Sequence, residues 1–173
     1  MTYDLLFLRK PADRDWEQVL RDHEARIGEA LALESIGAPM QAEFDALERA
    51  IEEEAGIELR ATGPRCFDLH VPAAGMQLHL FASEISLGVR LTGQRDEARE
   101  AAERMVRVSR LVERETSFRG YDPQLGRGLF EMPEPTLLVA DHIVRIARTV
   151  DRGLGPGVTR YTWRGWDGYS GRA

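Results

Sequence analysis

Residues 57–91 contain four short segments, IELRAT, CFDLHV, MQLHLF and EISLGVRL, in which apolar and polar residues alternate, separated by GPR, PAAG and AS. Alternation with a period of two places alternate side chains on opposite faces of a strand, so the run predicts an antiparallel meander with one buried face. The buried row is Ile57, Leu59, Ala61, Phe67, Leu69, Val71, Met76, Leu78, Leu80, Ile85, Leu87, Val89 and Leu91. Such a face has to be covered. The next segment, QRDEAREAAERMVRVSRLVERE, supplies the cover: Ala98, Ala101, Met105, Val108 and Val112 share one helical stripe, while Arg99, Glu103 and Arg107 are spaced for i,i+4 pairs on the solvated side. The expected class is α+β, two layers, with a mostly antiparallel sheet and helices packed on one face.

The segments on either side extend this plan. YDLLFLR, near the N-terminus, is apolar on both faces, as expected of a strand that is covered on both sides or central in its sheet. Asp13 or Asp15 can cap a following helix on which Trp16, Val19, Leu20, His23, Ile27, Ala30 and Leu31 share a face. SIGAP breaks that helix, Met40, Phe44, Leu47 and Ile51 mark a second, and Gly56 is placed to end it, so the two are expected to form a hairpin. In FRGYDPQLGRG, a proline is tolerated only at a strand's edge, end or bulge, so Pro123 implies a segment that runs along a sheet edge or quickly becomes a turn, with Gly126 and Gly128 fitting a turn that follows. Beyond it, Thr136 is placed to cap a helix through LLVADHIVRIARTV, GLGPG breaks the chain, and VTRYTWR reads as an edge strand. Residues 1–173 are expected to form one domain, with a core over 1–130 and a C-terminal extension over 131–173.

Charge narrows the choice of partner. The net charge of −6 argues against nucleic-acid binding, which needs a basic surplus, and makes a basic protein the expected partner. Cys66, the single cysteine, cannot form an internal disulfide, and neither a signal peptide nor a membrane-spanning apolar run is visible, so the expected compartment is the cytoplasm. The most concentrated charge lies in ALERAIEEEAG, where Glu52, Glu53 and Glu54 fall in the last turn of a helix, at the negative end of its dipole. Helical spacing gathers Asp45, Glu48 and Glu52 on the side away from Leu47, with Arg49 near the edge. Asp45, Glu48, Glu52 and Glu53 are therefore the candidate partner-binding residues. The plain alternative is a solvated helix face.

The polar face of the meander is the other place for chemistry. A three-residue GPR turn sets Arg60 opposite Asp68 and Glu58 opposite His70. With PAAG as the next connection, Asp68 faces His79, which faces Ser86. That row resembles a hydrolytic triad, but Ser86 lies in a regular strand with no donor loop to hold an oxyanion. Asp68, His70 and His79 make a candidate set of ligands for zinc or another divalent ion, without an HExxH or CxxC signature behind them. His23 reads as a boundary core residue and His142 as a polar-side residue of its helix. GLGPG follows a helix rather than joining a strand to one, so it offers no phosphate cradle, and no cofactor is expected. Trp163, Trp166 and Tyr169 among Arg160, Arg164 and Arg172 are of a kind that can stack on bases, although aromatic residues of a terminal strand ordinarily dock on their own domain.

Tyr3-Asp4-Leu5 at one end, and Tyr121-Asp122-Pro123-Gln124 with Gly126 after the long helix, give the chain a recognisable outline. It resembles a group of small uncharacterised bacterial proteins that begin on a YDL strand and carry a YDPQ-x-G strand after a long helix, some of them of the immunity type that accompanies toxins. The group is mostly of unknown activity, and the resemblance carries over no catalytic residue; with no assembled chemistry in the sequence, the expected function is a non-enzymatic binding protein, most concretely an immunity protein that neutralises a toxin by surface binding. The alternative function is a small metal-dependent hydrolase using Asp68, His70 and His79.

Overall fold

The computed structural model describes residues 2–30, 37–63, 66–69 and 75–151. Seven antiparallel strands form one sheet: β1 (Thr2–Arg9), β2 (Leu59–Gly63), β3 (Cys66–Leu69), β4 (Met76–Leu80), β5 (Glu84–Arg90), β6 (Phe118–Asp122) and β7 (Arg127–Gly128). Their order is β2-β3-β4-β5-β1-β6-β7, so the expected meander occupies one side and the N-terminal strand lies between β5 and β6. The helices are α1 (Trp16–Ala30), α2 (Ala38–Glu53), α3 (Arg95–Glu115) and α4 (Pro135–Asp151). The fold is α+β, as the alternation and the helical stripes predicted.

One face of the sheet carries Tyr3, Leu5 and Phe7 from β1, with Leu69, Met76, Leu78, Leu80, Ile85, Leu87 and Val89, all buried. They join Phe44, Leu47 and Ile51 of α2, Ala98, Ala101, Met105, Val108 and Val112 of α3, and Val139, Ile143 and Val144 of α4 in a single core. Of the expected buried row, Ile57 is also inside, Leu59, Phe67 and Leu91 are half-buried, Ala61 is exposed, and Val71 lies outside the described residues. Ala61 is exposed because β2 is the edge strand and a bulge follows at Gly63.

α1 departs from the expected arrangement. Its buried Val19, with half-buried Trp16 and Leu20, packs on Leu6 and Leu8, which alternate with Leu5 and Phe7 and so point from the opposite face of β1. Three helices share one face, as expected, while α1 covers part of the other; α1 and α2 do not pack as a hairpin. The two-sided apolar character of YDLLFLR has its cause here, since β1 is both central and covered on each side. Asp15 caps α1: its Oδ1 accepts the Gln18 backbone N–H at 2.8 Å, and Gln18 Oε1 accepts that of Asp15 at 3.3 Å, a reciprocal capping box. α4 begins at Pro135, ahead of Thr136, because proline's fixed φ suits the first helical position and its missing N–H costs nothing there. The VTRYTWR strand, GLGPG and the aromatic residues Trp163, Trp166 and Tyr169 lie outside the described residues.

Candidate functional site

The two halves of the YD signature meet in space. Tyr3 Oη donates to Asp122 Oδ2 at 2.5 Å, and both residues are fully buried. Asp122 Oδ1 also accepts the backbone N–H groups of Gln124 and Leu125, at 2.9 and 3.0 Å. The Gln124 amide, in the orientation that satisfies its hydrogen bonds, donates to Asp122 Oδ1 and to the Asp4 carbonyl at 2.9 Å. β6 ends at Asp122, so Pro123 begins a turn in which Gly126 takes a left-handed φ of 69° and its N–H reaches the Asp122 carbonyl. Burial raises the proton affinity of both partners, and the two amides and the phenol oppose that rise at Asp122. His142 of α4 stands over Tyr3 with ring centroids 6.5 Å apart, and burial, then the Arg145 charge, hold its pKa below the ordinary histidine value. The buried Tyr3–Asp122 pair ties the first strand to the sixth.

Exposed chemistry lies on the second face of the sheet beyond α1. Arg60 stands opposite Asp68 as the sequence predicted; Arg60 Nε bonds Glu58 at 3.0 Å. The next pairing differs. Leu69, not Val71, stands opposite Met76, so Asp68 faces Gln77 and accepts its amide N–H at 3.0 Å, and His79 faces Cys66 on one side and Ser86 on the other. A slip of two residues keeps every side chain on its predicted face and changes only its neighbour. It removes the Asp68–His79 pairing from the triad-like row. His70 lies outside the described residues, and among those described no group of three His, Cys, Asp or Glu side chains could hold a metal ion.

The slip brings together a pair that alternation did not reveal. Cys66 Sγ lies 3.9 Å from His79 Nδ1. Burial pushes the thiol up and the imidazole down, the Asp68 charge opposing the latter, so both shifts favour the neutral forms over a thiolate–imidazolium nucleophile. On the next lateral row, that of Asp68, Gln77 and Gly88, a cavity of about 350 Å³ opens toward Thr2, Arg60 and Arg90, without Cys66 or His79 in its lining. A Cβ at Gly88 would lie 2.4 Å from Asp4 Oδ1, so the glycine leaves room for the Asp4 carboxylate in its present position. Asp4 accepts the Thr2 hydroxyl at 2.9 Å, and burial raises its pKa.

The acidic helix is sorted by direction. Glu54, directly after α2, is clamped by both terminal nitrogens of Arg114 from α3, which lowers its pKa, and Glu43 accepts the Ser117 hydroxyl and backbone N–H at 3.2 Å with Arg9 nearby. Asp45, Glu52 and Glu53 face solvent; Asp45 accepts the Gln41 amide at 2.6 Å, and Glu52 and Glu53 have no ion-pair partner among the described residues. Glu48 is half-buried between them. Arg114 relieves the end of α2 from sixty residues away, which helical spacing alone had no means to reveal.

Comparison with protein-family models, with curated proteins and with solved structures finds no match to this chain. No helix among the described residues is long and apolar enough to cross a membrane.

Proposed function

We propose that this chain is a non-enzymatic binding protein of the immunity type, which neutralises a basic, toxin-like protein through the outward ridge of α2. The observation that carries the reading is the asymmetry of that helix: the carboxylates turned toward α3 and β6, Glu43 and Glu54, have basic or hydroxyl partners, whereas Asp45, Glu52 and Glu53 are left to solvent beside Glu48. A ridge of outward carboxylates on an acidic protein provides the field that speeds encounter with a basic surface. The outline shared by Tyr3-Asp4-Leu5 and Tyr121-Asp122-Pro123-Gln124 supports the immunity-type assignment. The metal-dependent hydrolase has no comparable support, since Asp68 is held by Gln77 rather than facing His79.

The test uses the toxin-like product of an adjacent reading frame as the binding partner. Glu48→Lys combined with Glu52→Lys is expected to slow association and flatten its dependence on salt, with the circular dichroism spectrum unchanged. An association rate at low salt equal to that of the wild type overturns the assignment of the ridge.

A further inference from the structure

The cavity on the polar face is bordered by groups of both charges in a fixed order. Arg60, Asp68, Gln77 and Gly88 stand in one lateral row across β2, β3, β4 and β5, and Arg90 lies two residues beyond Gly88 on the same face, opposite Thr2. All six line the cavity. Its floor is open at Gly75, whose carbonyl accepts the Arg90 backbone N–H at 2.9 Å and at which a Cβ would meet no described atom within 4 Å. The hydrogen-bonding groups fall into two sets. Gln77 gives an amide N–H to Asp68 Oδ1 at 3.0 Å and so presents its own carbonyl, beside the second Asp68 oxygen, as an acceptor. Thr2 gives its hydroxyl proton to Asp4 at 2.9 Å, which leaves the Thr2 oxygen able only to accept. The donors are guanidinium groups. Arg60 Nε is engaged by Glu58, whereas the Arg90 side chain has no ion-pair partner among the described residues, and the segment that leads into Gly75, HVPAA, includes no carboxylate to supply one. Asp68 on β3 and Arg90 on β5 are two strands apart, about 10 Å at the usual spacing, and the long arginine side chain narrows that gap from one side.

We propose that this cavity binds a free α-amino acid, with its carboxylate on the Arg90 guanidinium and its ammonium group on Asp68 and the Gln77 carbonyl. A zwitterion satisfies both sets of groups at once and brings no net charge. A simple anion would lie against Asp68, and a simple cation against Arg90. The glycine at 75 supplies the space that a ligand's backbone atoms would occupy between the two charges. The site lies on the face of the sheet opposite α2, so its occupancy and partner binding by the acidic ridge can be measured separately.

Titration calorimetry of the full chain against each of the protein L-amino acids in turn tests the proposal. At least one should bind with a dissociation constant of about 1 mM or tighter. Its N-acetyl derivative, which lacks the ammonium group, and its amide, which lacks the carboxylate, should each bind about tenfold more weakly or worse, as loss of a hydrogen-bonded charge predicts. Arg90→Ala and Asp68→Asn should each weaken the amino acid by a similar factor. Asp68→Asn should leave the N-acetyl derivative no weaker than before, because that ligand has no ammonium group to lose. Gly75 does not have a left-handed φ, so Gly75→Leu can fill the cavity without backbone strain and should abolish binding with the circular dichroism spectrum unchanged. Binding by none of the amino acids, a derivative that binds the wild type as tightly as its parent, or affinity that survives Arg90→Ala, Asp68→Asn or Gly75→Leu overturns the proposal.

Discussion

Beneath α2, α3 and α4 the sheet presents Tyr3, Leu5, Phe7, Leu78 and Leu87, each no more than 1% exposed, whereas the other face presents Leu6, Leu8 and Tyr121 under α1 and then Thr2, Asp68, Gln77, His79 and Ser86. The same strands build both faces, and alternation makes their compositions independent of each other. The first face joins three helices into one core and so carries most of the hydrophobic stabilisation. The second is relieved of that task, and there the chain places a cavity, a thiol beside an imidazole, and a carboxylate buried under a helix. Stability and candidate chemistry are thus divided by a single backbone, with β1 at its centre.

The sharpest way to break this comparison is to empty the first face. Phe7→Ala, deep in the main core, is expected to cost about 3–5 kcal/mol in denaturant unfolding and to lower every probe of folding together. A loss confined to one helix would show that the core is not shared. Next in size is the Tyr3–Asp122 bond. Tyr3→Phe leaves Asp122 with its two backbone donors and without its phenol, and is expected to cost about 1–3 kcal/mol by the same measurement.

A smaller effect of opposite sign is expected on the second face. Burial raises the pKa of Glu84, with the His23 interaction opposing, so the folded state favours the protonated carboxyl. Its contribution to stability is therefore greatest below the unfolded-state pKa and falls as pH rises through the folded one. Glu84→Gln should raise the melting temperature at pH 8, with the gain shrinking as the pH is lowered toward 4. A gain that persists at pH 4, or a loss at pH 8, would mean that ionisation of Glu84 is not what the second face resists. Least of all, Arg60→Ala should change stability by less than about 1 kcal/mol, since its interactions with Glu58 and the Asp68 row are exposed. A larger loss in denaturant melts would show that the polar row bears structural load.

The candidate site was only partly legible in the sequence. Arg60 stands opposite Asp68 as expected, although Gly63 pairs with Cys66 and a bulge between Ala61 and Gly63, rather than a three-residue GPR turn, sets that register; His79 opposite Ser86 followed from the short connection that precedes β5. Cys66 beside His79 did not, because PAAG suggested Val71 opposite Met76 whereas Leu69 stands there. Both registers bury the same apolar row, so no hydrophobic penalty distinguishes them. The paired Tyr3 and Asp122 were visible as a motif, and their hydrogen bond was not, with more than a hundred residues between them.

What the sequence by itself determined were the periodic elements and the faces they bury: alternation from Ile57 to Leu91, the stripe of α3, a cap at Asp13 or Asp15, and a segment that Pro123 either keeps at a sheet edge or brings to a turn. These depend on interactions within a few residues, on the sterics of proline and on the period of side-chain direction. Only the tertiary structure decided that β1 enters between β5 and β6, that α1 crosses to the second face, that Arg114 neutralises Glu54, and which residue stands beside His79. The physical reason is common to all four. Local pattern specifies which way a side chain points, but a partner is chosen by long-range packing, and different partners can satisfy the same pattern equally well.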